Sequence, residues 1–282
     1  MPQVINTNMM SLNSQRSLNR SQQSMQTSLE RLSSGLRINR AKDDAAGLAI
    51  TERVTSQIRG LDQAIRNAND GISLLQTAEG ALGELTNSLQ RMRELAVQSR
   101  NGTYNNSDRA SLNDEYKALK AEIVRITDVT EFNNVNLLGT AGSLELQVGW
   151  EAGADNLIKI STLDLATANS GSGGILSAVG AGSPSIGSVG SASGAMAVLD
   201  FAINAITSMR ADFGAIQNRL ESAVRNMENV VENQSAARSR IQDADFARET
   251  ANLTRTQILQ QAGTAMLAQA NQLPQNVLSL LQ

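Results

Sequence analysis

Apolar residues recur along this chain at alternating steps of three and four, the spacing that keeps one face of an α-helix apolar. Near the start, Met25, Leu29, Leu32 and Leu36 follow this rule, with Ile5, Met9 and Leu12 upstream. The longest tract carries Val54, Ile58, Leu61, Ile65, Ala68, Ile72 and Leu75, then Ala78, Leu82, Leu85, Leu89, Met92 and Ala96. At about 1.5 Å per residue it predicts a helix of roughly 65 Å, stopped by Asn101–Gly102. Ser107–Asp108 opens a third tract, where Leu112, Tyr116, Leu119, Ile123 and Ile126 share a face. Further on, Met209, Phe213, Ile216, Leu220, Ala223, Met227, Val230, Ala237 and Ile241 keep heptad spacing, with Gln234 the one polar member. The last tract places Leu259, Met266, Ala270, Leu273, Val277 and Leu280 on one seam, with Gly263 at its remaining position. Pro274 lies inside it and is expected to bend it.

Between the third and fourth tracts the period changes to two. Leu144, Leu146, Val148 and Trp150 alternate with other residues, a Gly/Asp/Asn turn follows, and Ile158 and Ile160 alternate again. This reads as a β-hairpin at about 141–162, with a further short strand near Phe132–Leu138. From Leu165 to Ala195, sixteen of 31 residues are Gly or Ser and none is charged, which predicts a flexible loop without a core. The order of elements gives a mainly α fold in which two helical halves run back along each other as a long antiparallel rod. The hairpin and loop are expected at one end of it and both chain ends at the other.

Composition narrows the chemistry. Aromatics make up 2% of the 282 residues, so Leu, Ile, Val, Ala and Met carry the 41% apolar content. That suits helices packed side by side better than a ring-filled globular core. The net charge of −3 gives no reason to expect nucleic acid. The chain has no Cys and no His. Disulfides, thiolate chemistry, the common zinc sites and a Ser–His–Asp triad are therefore excluded, and no cofactor or metal is expected. No run of 18 apolar residues suggests a membrane span. The opening "MPQVINTNMMSLNSQR" lacks the basic start and apolar centre of a secretory signal, so an exported chain would need another route.

Single residues offer little catalysis. Asp43 and Asp44 in "AKDDAAGLAI" could be paired acids, but a turn or helix start explains them without a cleft. The "GSGG" near Gly171 has neither the following Lys nor the glycine spacing of a phosphate loop. On periodicity alone the charges of "QRMRELAVQSR" are an exposed helix face. The residues thus favour a helical assembly protein over an enzyme.

Three stretches carry a resemblance. "MPQVINTNMMSLNSQRSLNRSQ", "ERLSSGLRINRAKDDAAGLAIT" and "QQAGTAMLAQANQLPQNVLSLLQ" closely resemble bacterial flagellin, with "RELAVQSRNGT" and "FNNVNLLG" in the positions that family would have. The likeness spans about residues 1–165 and 195–282. A hook–filament junction protein shares the terminal coiled coil, but the "NQLPQNVLSLLQ" and "AKDDAAGLAI" stretches favour flagellin. A flagellin with a zinc-protease insert would need two His on a helix, and a secretion needle or translocator is the remaining alternative.

The resemblance implies a structural subunit that polymerises with copies of itself into the extracellular flagellar filament for motility. It implies an inner-tube domain of residues 1–44 and 245–282, where the termini pair as a coiled coil. There Ile5, Met9, Leu12, Leu29, Leu32, Leu36, Leu259, Met266, Leu273, Val277 and Leu280 would serve polymerisation. A rod domain would comprise 45–165 and 195–244, and the Gly/Ser loop of 166–194 would replace the large outer domains of longer relatives. Expected partners are an export chaperone, the type III export apparatus, and the filament cap and hook–filament junction proteins. The resemblance also carries two recognition surfaces. Gln90, Arg91, Glu94, Leu95, Gln98 and Glu115 match positions read by a vertebrate Toll-like receptor. Lys42, Asp43, Asp44 and Gly47 match the receptor-contacting half of the segment sensed by a plant flagellin receptor kinase, with departures at Leu36 and Arg40.

Overall fold

A computed structural model describes residues 7–139, 142–162 and 185–279, with side chains through 161 and 272 in the last two stretches. The protein is mainly α, with 79% of the described residues helical. Its helices are α1 (Met9–Ser34), α2 (Ala45–Arg100), α3 (Asn106–Val129), α4 (Val189–Gln242) and α5 (Phe246–Ser279). Four short strands lie between α3 and α4: β1 (Glu131–Phe132), β2 (Val135–Asn136), β3 (Gly142–Gln147) and β4 (Leu157–Thr162).

Local chemistry accounts for the boundaries. The Asn8 side chain accepts a hydrogen bond from the Ser11 amide at the start of α1, and Gly35 ends that helix at φ 72°, a conformation glycine adopts without strain. A reciprocal capping box of Asn105 and Asp108 opens α3. Asn133 and Asn134 both have positive φ and turn β1 into β2. Asparagine tolerates that conformation, and such a two-residue turn suits the twist of a hairpin. α5 continues through Pro274 to Ser279.

The chain forms two compact units, residues 59–231 and residues 1–58 with 232–282. In the first, α2 and α4 run antiparallel: Arg93 pairs with Asp200 at 2.6 Å, while Glu79 meets Arg210 at 3.6 Å and Gln217 at 3.5 Å. Leu75, Leu82, Leu85, Leu89 and Met92 of α2 share one core with Leu199, Ile206 and Phe213 of α4 and with Tyr116 and Ile123 of α3. Ile65 and Ile72, expected on the α2 seam, are only half-buried, and Ala64 and Gly71 are buried in their place. The β3–β4 hairpin requires this, because a Cβ on Gly71 would overlap the Leu146 side chain.

The hairpin pairs Leu144 with Ile160 and Leu146 with Ile158. β3 stops at Gln147, so Val148 and Trp150 do not continue the strand as their alternation predicted. The Gln147 side chain instead donates to the Gly149 and Glu151 carbonyls and turns the chain. Trp150 is half-exposed and its Cβ would lie 2.8 Å from a Cβ on Gly60.

The return helix begins within the stretch read as a Gly/Ser loop. Of that stretch, residues 165–184 lie outside the described residues. Ile186 is fully buried, its amide donates to Asn113 Oδ1 at 3.0 Å, and its carbonyl accepts from Ser99 Oγ. Ala192, Ala195, Leu199 and Ala202 then enter the core in heptad step. Small alanines among serines and glycines hide that seam from a composition reading. Arg109 is also buried here and donates to the Ser99 and Asn101 carbonyls at 3.0 and 3.1 Å. Its cation thus meets carbonyls left without helical partners at the end of α2. α4 includes a window apolar enough by length and composition to cross a membrane, and α4 supplies Ala195, Leu199, Ala202 and Ile206 to the helical core. Replacing Ile186→Ala should lower the stability of the 59–231 unit by about 2–4 kcal/mol, read as a fall in denaturant midpoint at unchanged slope.

Candidate functional site

No group of three or more acidic side chains that could hold a metal occurs among the described residues. The features that call for a partner lie in the other unit, where α1 packs against α5.

The two helices run antiparallel. The Asn8 side-chain amide donates to the Ala270 carbonyl at 2.7 Å. Leu18 approaches Gly263, and Ser28 and Arg31 both bond Glu249. The covered seam positions on α1 are Ser11, Ser14, Leu18, Ser21, Met25, Ser28 and Leu32, followed by the cap Gly35, in alternating steps of three and four, with Glu30 and Arg31 half-buried beside them. On α5 they are Glu249, Leu253, Thr256, Gln260, Gly263, Leu267 and Ala270, again in heptad step, with Asn252 half-buried beside them. This is a coiled-coil seam built mostly of small and polar residues.

The apolar stripe expected to form that seam mostly lies elsewhere. Met9, Leu12 and Leu29 are exposed on α1, as are Leu259 and Met266 on α5; Met9 and Met266 keep 65% and 59% of their surface. Met10, Phe246 and Ile258 add to the exposed set. Leu32 and Leu36 are half-buried. Ile5 and Leu280 lie outside the described residues, as do the side chains of Leu273 and Val277. On α5 the expected and observed seams share Gly263 and Ala270 but differ by one residue at Leu259 and Met266, where Gln260 and Leu267 face α1. On α1 the expected stripe shares Met25 and Leu32 with the observed seam, and Leu18 continues it one heptad earlier, while the serines between them carry no hydropathy signal.

The connection between α1 and α2 is tied to the connection between α4 and α5. Leu36 bridges Asp243. The Arg37 amide donates to the Gln242 carbonyl at 2.6 Å, and the Ala244 amide donates to the Gly35 carbonyl at 2.9 Å. Beyond this tie, both acids of "KDD" serve the backbone. Asp43 Oδ2 accepts from the Arg40 and Asn39 amides at 3.0 and 3.3 Å. Asp44 Oδ1 accepts from the Gly47 amide at 2.8 Å and so caps α2. The Arg40 amide, followed by the Asn39 amide and the Lys42 and Arg31 charges, holds the Asp43 carboxyl below its ordinary value of 3.8. A lowered carboxyl pKa stabilises the turn above that ordinary value, and the contribution fades as pH falls through the lower one. Gly47 is buried, and a Cβ there would lie 2.7 Å from Ile38 Cδ1. Lys42 is exposed.

On α2 and α3, Arg91 reaches Glu115 at 2.8 and 2.9 Å and Glu94 at 3.0 Å. Its pKa is raised by the bond to Glu115 first and to Glu94 second, which keeps the guanidinium charged. Gln90 is exposed, and Gln98 donates to the Tyr104 hydroxyl at 3.0 Å. A shallow depression lies here, lined by Gln90, Arg93, Glu94, Val97 and Gln98. Leu95 does not belong to this surface. Its heptad neighbours Met92 and Ala96 flank it on the inward face, and it is fully buried in the core.

Comparison with known proteins bears on what these surfaces are for. Residues 5–142 match the bacterial flagellin N-terminal helical region and residues 196–281 match the bacterial flagellin C-terminal helical region. The chain is 49% identical over 280 residues to a flagellin of Halalkalibacterium halodurans, covering 99% of this chain and 100% of that one. It is 44% identical over 286 residues to flagellin FlaB2 of Treponema pallidum, with 99% and 100% covered. A solved structure described as a flagellar hook-associated protein of Vibrio parahaemolyticus covers 71% of this chain and all of its own, at TM-score 0.59 and 13% identity. That similarity speaks to fold alone.

Proposed function

The chain belongs to the bacterial flagellin family, structural subunits of the flagellar filament, and from that premise we propose that its α1–α5 pair is the part that neighbouring subunits complete. One observation carries this reading. α1 and α5 are already paired with each other, yet Met9, Met10, Leu12, Leu29, Phe246, Ile258, Leu259 and Met266 remain exposed on them. Fully burying such side chains is worth about 1.5–3 kcal/mol each. A polymer in which each pair packs against the pairs of its neighbours recovers that energy.

In this reading residues 1–44 with 245–282 form the inner tube, and residues 45–165 with 195–244 form the surrounding helical domain. The subunit lacks large outer domains and leaves the cell through the type III flagellar apparatus. An export chaperone covers the apolar C-terminal helix until then, and the cap and hook–filament junction proteins flank the growing polymer. Purified protein seeded with filament fragments should grow filaments visible by electron microscopy. A chain that stays monomeric at every concentration and seed density would contradict the reading.

We also propose that Gln90, Arg91, Glu94, Gln98 and Glu115 form the surface read by a vertebrate Toll-like receptor. The resemblance of these positions supports it, as does the fixed, exposed guanidinium of Arg91. Replacing Arg91→Ala should weaken receptor activation by monomer about tenfold or more, with helix content unchanged. Leu95→Ala should instead destabilise the core, so its effect on signalling would follow folding. The segment around Lys42, Asp43, Asp44 and Gly47 is proposed as the one sensed by a plant receptor kinase. Its backbone ties make release of the segment a condition of that sensing.

A further inference from the structure

We propose that Ser28, Arg31 and Glu249 form a polar lock that selects one register for the pairing of α1 with α5. Two heptad helices can slip past each other by seven residues and still place seam against seam. This seam resists slippage poorly, because Ser11, Ser14 and Ser21 on one side and Thr256, Gln260 and Gly263 on the other offer few large knobs. The backbone ties between Gly35–Arg37 and Gln242–Ala244 hold the two helices at one end, and a side-chain device is needed to hold the register along the pair when those ties open.

Glu249 is the candidate. It is 7% exposed, the most buried acid on the pair, and each carboxylate oxygen has its own donor. Oε2 accepts from Ser28 Oγ at 2.9 Å and Oε1 accepts from Arg31 Nη1 at 3.0 Å. Arg31 Nε is buried and makes no hydrogen bond, so the guanidinium depends on this contact for its match. A buried carboxylate separated from its cation and its hydroxyl is strongly disfavoured, while the intact group adds little over an apolar replacement. That asymmetry suits a group that selects a register, as a buried polar residue does in other coiled coils.

A slip of seven residues in one direction would set Glu249 against Ser21 and Ser24, with a serine where Arg31 now stands. A slip in the other direction would set it against Gly35 and Ile38, beyond the end of α1 at Ser34 and with no arginine at the Arg31 position. Leu18 adds a second check. Its Cδ1 lies 3.2 Å from a Cβ built on Gly263, so the leucine already fills the space above that glycine. A slipped pairing would put Thr256 or Ala270 there instead, each with a side chain in the way.

The chain contains no cysteine, so introduced pairs report alone. Leu18→Cys with Gly263→Cys reports the native register, since Leu18 Cβ lies 4.0 Å from a Cβ at 263, within disulfide reach. Leu18→Cys with Ala270→Cys reports a one-heptad slip. In filaments grown from each cysteine pair and brought to equilibrium with glutathione, the native intrachain disulfide should exceed the slipped one by about tenfold or more. Glu249→Leu and Arg31→Glu should each bring that ratio toward one. The double change Arg31→Glu with Glu249→Arg should restore it to within about threefold of the starting value. The lock is overturned if the native pair does not dominate in the otherwise unaltered chain, or if Glu249→Leu leaves the ratio unchanged. It is also overturned if Glu249→Leu abolishes both disulfides, or if the double change is no better than its single members. The test reads cross-links within one chain, so its failure leaves the filament reading standing.

Discussion

Filaments should fail to form when Leu259 and Met266 are both replaced by aspartate, although the 59–231 unit folds normally. Both side chains are exposed on α5 and lie one residue off the seam that faces α1. Their replacement therefore removes no intrachain core contact and leaves the Ser28–Glu249–Arg31 cluster in place. In a polymer that buries them, each aspartate would bring an unpaired carboxylate into an apolar contact. Even after relaxation that costs on the order of 4 kcal/mol or more per site, roughly a thousandfold in subunit affinity. Two sites raise the critical concentration beyond practical reach. Sedimentation and electron microscopy report the polymer, and urea unfolding reports the core. Gln261→Asp, an exposed change on the same helix, serves as the control and should polymerise. Normal filaments from the Leu259→Asp, Met266→Asp chain would show that this face of α5 stays in water.

The apolar period announced the long helices well because Leu, Ile and Met repeat there without interruption. Leu82, Leu85, Leu89 and Met92 of α2 are fully buried where their spacing predicted. It misled wherever small residues did the packing. Ala64 and Gly71 replaced Ile65 and Ile72 beneath the hairpin, and Ala192 and Ala195 carried α4 back into a stretch that looked like a loop. The terminal helices show the effect most sharply. Hydropathy marks Leu29, Leu259 and Met266 as a seam, whereas the chain pairs through Ser11, Ser28, Thr256 and Gln260. The large apolar residues remain exposed. The apolar stripe is therefore legible from the pattern, but the small and polar seam through which α1 and α5 pair is not. Leu95 fails for a related reason: a motif match gives a position along α2 but says nothing of which side of the helix it occupies.

These exposed stripes bear on order as well as on contact. α1 and α5, of 26 and 34 residues, are joined to each other chiefly through serines, glutamine, threonine, glycine and alanine. Among the described residues only Leu18, Met25, Leu32, Leu253 and Leu267 bring large apolar side chains to that seam, all of them half-buried. Ordering a backbone costs about 1–2 kcal/mol per residue, and a seam of this kind offsets little of it in one isolated chain. In the proposed filament, burial against neighbouring subunits would supply the remainder. Residues 9–34 and 246–279 should therefore be in rapid helix–coil exchange in the monomer and become firmly helical on polymerisation.

Hydrogen exchange compared between verified monomer and assembled filament decides the matter. Amides of α1 and α5 should exchange freely in the monomer and be strongly protected in the filament, whereas the Leu61–Ala96 stretch of α2 should be protected in both. Strong protection of α1 and α5 already present in the monomer, or no gain of protection on assembly, would contradict the claim that neighbouring subunits complete this pair.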